Sequence, residues 1–167
     1  MNNTKNVSMS NIQVITRSGL LIGLSAIGAM IKIQGTIAFD SMPGFFAALF
    51  ISPMAGGAVA SLGHLLTAFT SGFPLTLPMH LMLTVVMGII AYFFGVIERK
   101  VNGVLACVIA ILLNGPVATF IAGITASLLG LPLSGSAMFT ALVIPLTVVA
   151  AVNVILAYII FKVLPRK

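Results

Sequence analysis

Residues 79–103 read MHLMLTVVMGIIAYFFGVIERKVNG, and this stretch decides the fold. From Met79 to Ile97 the only side chain that can carry a charge near neutral pH is His80. As a helix, that run is about 28 Å long at ~1.5 Å per residue, close to the ~30 Å hydrocarbon core of a bilayer. Glu98, Arg99 and Lys100 then interrupt it, and a second apolar run opens at Val104. An apolar span, a charged edge and another apolar span describe a chain that crosses a membrane and turns back.

The other charges extend that reading. Lys5 and Arg17 stand before or at the start of the first apolar run, and Lys162, Arg166 and Lys167 close the last. Lys and Arg flanking apolar segments stay on the cytoplasmic side. The pattern predicts that both termini and the 98–103 edge lie inside, with Lys32 as the one basic residue outside. An odd number of spans would put the basic tail outside, against this bias.

Composition agrees. The 167 residues are 60% hydrophobic and only 6% charged, against about 25% charged for a soluble domain. So few polar groups cannot cover a water-exposed surface, and lipid must be much of the solvent. The net charge of +6 is spread over separate edges instead of clustering on one element, which excludes a nucleic-acid footprint. Cys107 is alone in an apolar run, so it can form no intramolecular disulfide and reads as a small buried hydrophobe. The polar start followed by an apolar run resembles a signal peptide superficially, but an uncleaved first helix fits better.

Six helices fit the sequence, over about residues 14–32, 41–51, 54–70, 79–97, 104–129 and 137–164. Ser52-Pro53 separates the second from the third. Pro74 and Pro78 break the 71–78 turn, since the residue before a proline avoids helix. Residues 98–103 form a charged turn, and Gly130-Leu131-Pro132 ends the fifth helix. The second helix falls short of the roughly 20 residues of a full span. The expected fold is an all-α integral membrane protein, a six-helix bundle forming one domain over residues 1–167, with residues 1–13 as a cytoplasmic tail.

Ionisable residues at membrane depth are costly and mark function. Asp40 is the only carboxylate on the outer side. It can accept hydrogen bonds from ligand hydroxyls or pair with Lys32; alternatively Asp40 or Ser41 caps the helix that Pro43 opens. His80 is placed at the same depth, where a neutral imidazole can hydrogen-bond and stack on a ligand, or simply be wetted by headgroups. Thr84 lies one turn further on the same helix face, and Phe39 and Met79 adjoin Asp40 and His80. His64, deeper and beside Gly63, suits helix–helix hydrogen bonding. Asn114-Gly115-Pro116 interrupts the fifth helix near mid-membrane. Pro116 frees backbone polar groups there, which makes Asn114 either pocket-facing or part of a structural kink, and Asn153 reads similarly but more weakly. No Cys/His spacing indicates a metal, and no cofactor is expected. Without paired carboxylates or a nucleophile beside a base, the chain does not read as an enzyme. Gly19 and Gly23 share a small-residue face on the first helix, and Ala55, Gly56, Gly57, Ala60 and Gly63 do so on the third. Such faces serve internal packing or docking.

The size, the six spans with both ends inside, the stretch from Ile31 to Phe50 (IKIQGTIAFDSMPGFFAALF), Ser52-Pro53 and the glycine-rich residues after it together resemble the substrate-binding S components of energy-coupling-factor (ECF) vitamin transporters. The resemblance implies an outward-facing ligand pocket built from the 1–2 loop and the outer parts of helices 4 to 6. It places Gln34, Phe39, Asp40, His80, Thr84 and Asn114 near that pocket. It implies partners too: a transmembrane coupling subunit, and two ATP-binding subunits that supply the energy this chain, lacking a phosphate-binding loop, cannot. Family members dock through an alanine-x3-alanine face on helix 1, to which Gly19 and Gly23 are the nearest match. They are held to topple in the membrane with the ligand enclosed, which suits a chain this poor in charge.

Within the family, the 31–50 stretch is most similar to S components assigned to α-ribazole, a cobalamin precursor; pantothenate, riboflavin or another water-soluble vitamin is the alternative ligand. The reading is thus an ECF-type ABC importer subunit for vitamin uptake in a bacterial cell membrane. A self-contained secondary transporter or channel is the alternative function. It is opposed by the absence of an inverted repeat or of acid/base chains inside the helices.

Overall fold

The computed structural model describes residues 9–30, 32–33 and 37–164, the side chains of residues 32, 33, 37 and 38 excepted. It is an all-helical bundle with one small antiparallel hairpin. Helix α1 (Asn11–Gly28) is followed by strands β1 (Lys32–Ile33) and β2 (Ile37–Ala38), then α2 (Met42–Phe50), α3 (Pro53–Thr70) and α4 (Leu77–Lys100). Helix α5 runs continuously over Gly103–Leu128, and α6 covers Gly135–Val163. In the hairpin Lys32 pairs with Ala38 and Ile33 with Ile37.

Six helices therefore stand where the apolar runs predicted them. Three, α4, α5 and α6, are long and apolar enough to cross a membrane on length and composition. At nine residues, α2 is about 13 Å long, half a bilayer core. It is wedged among its neighbours, against Gly56 of α3 and Gly95 of α4.

Helix α4 opens two residues early at Leu77, with Pro78 in its first turn instead of in the preceding turn, since a proline there gives up no helical hydrogen bond. Three boundaries differ from expectation by three residues or more. Helix α1 starts at Asn11, earlier than residue 14, because Ser10 and Gln13 close a reciprocal capping box that satisfies two otherwise orphaned amides. It stops at Gly28, four residues before Lys32, where the chain turns into the hairpin. A Cβ at Gly28 would run into the carbonyl oxygen of Phe39, so only glycine allows that close return. The expected charged turn at 98–103 is helical through Lys100. Cations in a last helical turn face the negative end of the helix dipole and extend it. One of them does more: Arg99 Nη2 donates to Leu49 O at 3.2 Å, capping the C-terminal end of α2.

Packing depends on small residues. Helix α2 lies between α3 and α4, where Gly56 meets Ala48 Cβ and Gly95 meets Ala48 from the opposite side; a Cβ on Gly95 would stand 2.7 Å from the Ala48 carbonyl. Phe45 and Phe94 pack edge-to-face, with centroids 5.4 Å apart and planes at 84°. They centre a core with Leu49, Ile90 and Val154. A second cluster, Met79, Ala122, Ala126 and Met138, sits towards the other end.

Around Asn114 the fifth helix is not interrupted but widened into a π turn over Leu113–Val117. Pro116 cannot donate to the helical ladder. The ladder slips by one residue there, and Thr119 Oγ1 donates to the Gly115 carbonyl at 2.7 Å. Gly115 in turn lies against Thr147 of α6.

Candidate functional site

A cavity of about 120 Å³ opens at the end of the bundle opposite Arg99 and Lys100. That is ample room for more than a single water. Asp40 and Ser41, just before α2, form one wall, and His64 and Thr67 of α3 another. Pro74 and Leu75 of the α3–α4 connection, His80, Leu83 and Met87 of α4, and Asn114, Ala118, Thr119 and Ala122 of α5 complete most of the rest. Met138, Leu142, Leu146, Val149 and Ala150 of α6 close it.

Its polar groups converge at one end. The α3–α4 connection folds tightly, with positive φ at Gly72 (73°), Phe73 (51°) and Thr76 (76°), so the start of α4 returns against the end of α3. Ser61 Oγ donates across the pair to Thr84 O at 3.0 Å. This brings His64 Nε2 to 3.5 Å from His80 Nδ1, and the rings lie 5.6 Å apart at 38°. On its other side His64 Nδ1 is 3.6 Å from Asp40 Oδ2. The Leu75 N–H donates to His80 Nε2 at 3.5 Å. All three groups are well shielded: Asp40 is 7% exposed, His80 5% and the His64 side chain 17%.

The first turn of α2 fixes Asp40. Neither Ser41, which makes no side-chain cap bond, nor Asp40 was found capping the helix, contrary to the capping alternative read from the sequence. Instead the Met42 N–H donates to Asn153 Oδ1 of α6 at 3.0 Å, and Asn153 Nδ2 donates to its own helix at Val149 O, 2.9 Å away. Asn153 is thus a cap and not a lining residue. Its role spans 111 positions of sequence, which no local pattern could reveal.

Of the residues singled out from sequence, Asp40, His80 and Asn114 line the cavity. Met79 does not: it is fully buried in the second core cluster, because one step along a helix turns a side chain by about 100°. Thr84 does not either. Its hydroxyl donates to the His80 carbonyl at 2.7 Å, so its own helix takes up its polarity. Phe39 is half-buried beside Asp40 without lining the space, and Gln34 and the Lys32 side chain lie outside the described residues. His64, expected only to bond neighbouring helices, lines the cavity between Asp40 and His80. Among the described residues no group of three or more His, Cys, Asp or Glu is arranged to hold a metal.

Gly19 and Gly23 occupy a different surface. Nothing lies within 4 Å of a Cβ built on either. With Thr16, Leu20, Leu24 and Ile27 they border a shallow apolar groove on the outer face of α1. Internal packing of α1 falls instead to Ser25, which meets Gly63 of α3.

No curated protein and no solved structure matches the chain. A family model does: the one described as ECF transporter, substrate-specific component, over residues 13–165. The family is one of membrane-embedded substrate-binding subunits of importers and not of enzymes, in keeping with three long apolar helices beside a largely apolar cavity. With nearly its whole length covered, the chain belongs to the substrate-specific components of ECF transporters.

Proposed function

We propose that this subunit captures an uncharged vitamin or vitamin precursor, α-ribazole foremost, from outside a bacterial cell, and hands it inward with an ATP-driven coupling module. The carrying observation is the lining of the cavity. One carboxylate, two imidazoles and the Asn114 carboxamide face a wall otherwise made largely of Leu, Met and Ala, and the described lining holds no Lys or Arg. Pockets of this kind orient a ligand with a few polar groups and bind it through apolar area. A dimethylbenzimidazole ring suits Leu83, Met87, Leu142 and Leu146, and ribose hydroxyls suit Asp40 and Asn114.

In this reading both termini are cytoplasmic and all six helices lie in the bilayer, α2 as a partial insertion. The open face of α1 at Gly19 and Gly23 is the docking surface for the transmembrane coupling subunit, to which two ATP-binding subunits attach. Arg99, Lys100 and Lys162 lie at the helix ends away from the cavity, so the ligand-bearing end carries little charge through hydrocarbon.

Calorimetric titration of the purified chain against a vitamin panel tests the proposal. Tight binding of α-ribazole without partner subunits is the expected result. Failure to bind any member, with the chain folded, would reject it.

A further inference from the structure

The polar end of the cavity has a direction. His80 Nε2 accepts the Leu75 backbone N–H at 3.5 Å, and a backbone amide can only donate, so this nitrogen carries no proton. A neutral imidazole then bears its proton on Nδ1, the atom facing His64 Nε2 at 3.5 Å. His64 Nε2 is thereby the acceptor, and the His64 proton sits on Nδ1, 3.6 Å from Asp40 Oδ2. The two 3.5 Å separations are a few tenths of an ångström long for hydrogen bonds, and the 3.6 Å approach of His64 to Asp40 is an electrostatic contact. Their sense nevertheless follows from one donor that cannot reverse. A second proton on either ring would set donor against donor, at Leu75 for His80 and at His80 for His64.

The His64 Nδ1–H thus stands 3.6 Å from one Asp40 oxygen, which leaves the carboxylate's lone pairs to the cavity that Asp40 lines. An ionised carboxylate only accepts. A ligand carboxylate or phosphate brought to this end would meet like charge where screening is weak. Hydroxyls and N–H groups would meet a fixed acceptor.

Resting on the reading of this cavity as the ligand site, we propose that His64 positions Asp40 through a one-way hydrogen-bond chain from Leu75 by way of His80, and that this chain selects ligands presenting paired hydroxyl or N–H donors and no negative charge at their polar end.

Nitrogen-15 spectroscopy of the histidine rings, on the ligand-free chain in nanodiscs at neutral pH, tests the chain without reference to any ligand. Both rings should carry the proton on Nδ1, and an Nε2–H form on either would overturn the proposal. Titration with α-ribazole and riboflavin, uncharged and rich in hydroxyls, against pantothenate and biotin, which carry carboxylates, then tests selection. The tightest ligand should be uncharged. A carboxylate binding best would overturn the selection while leaving the cavity a ligand site, whereas no binding by any of the four would overturn the site itself and selection with it. His64→Leu should weaken the tightest ligand by ~10-fold or more, the worth of one bond to a charged group. His64→Gln, which still accepts with one atom and donates with another, should stay within about threefold. Equal losses in the two variants would overturn the positioning role. Should His64→Leu fail to fold, the Gln variant and the ring spectra still decide the matter.

Discussion

Replacing Asn153 by Leu isolates the contact that seats α2, and with it Asp40. Asn153 is 1% exposed. Its amide accepts the Met42 N–H at 3.0 Å and donates to Val149 O at 2.9 Å. Leu keeps the branched heavy-atom outline of Asn but is bulkier, so the change removes hydrogen bonds without leaving a void and adds a little overpacking. The Val149 carbonyl keeps its helical partner and loses little. The Met42 N–H, in the first turn of α2, has no helical partner to fall back on, and a buried orphan of this kind costs ~1–3 kcal/mol. Hydrogen bonds between membrane helices measure less, averaging ~0.6 and reaching ~1.7 kcal/mol, and Leu recovers some apolar burial. The net expectation is a loss of ~1 kcal/mol, about fivefold in the folding equilibrium. Reversible unfolding in mixed micelles, followed by helicity, would measure it. Because Met42 is two residues beyond Asp40, ligand affinity should fall by a few-fold in the same protein. Unchanged stability together with unchanged affinity would refute the idea that Asn153 seats the start of α2.

Four further substitutions probe other parts of the molecule. Asp40→Asn should weaken ligand binding by ~10-fold or more in calorimetry while leaving helicity intact, and equal affinity would demote Asp40 to a structural residue. Gly19→Leu or Gly23→Leu, on a face with open space around it, should spare binding yet abolish uptake by cells expressing the coupling module; loss of binding too would mean that the face packs internally. Gly56→Leu forces a side chain onto Ala48, and at ~1–3 kcal/mol or more for overpacking it should lower stability in the micelle assay, an effect that unaltered unfolding would contradict.

The sequence was most legible where elements are long and bounded by strong signals. Helices α4, α5 and α6 follow from apolar runs closed by charges, glycine and proline, and their limits came out within a few residues. It was least legible where tertiary contact overrides local pattern. Met30 and Ile31 continue the apolar character of α1, so nothing local announces that Gly28 ends it; the close return of Phe39 does. Pro116 read as a break, but the neighbouring hydroxyl of Thr119 lets the helix widen and continue. At the cavity, Asp40, His80 and Asn114 stand out by residue type in apolar surroundings. His64 stood out by type as well, but its place at the cavity did not, because only the tight α3–α4 connection sets it between the other two ionisable groups. Thr84 misled for a related reason: sharing a helix face with His80 says nothing about a hydroxyl already bonded to its own backbone.

The most direct test of the central claim, that the outer cavity holds one vitamin-sized ligand, is native mass spectrometry of the chain purified from its own host in nanodiscs. The wild type should carry a single small organic molecule per chain. Ala122→Phe, which fills the cavity wall on α5, should carry none at unchanged helicity. A wild type that retains nothing even after exposure to the vitamin panel, or a filled variant that keeps the same adduct, would contradict it.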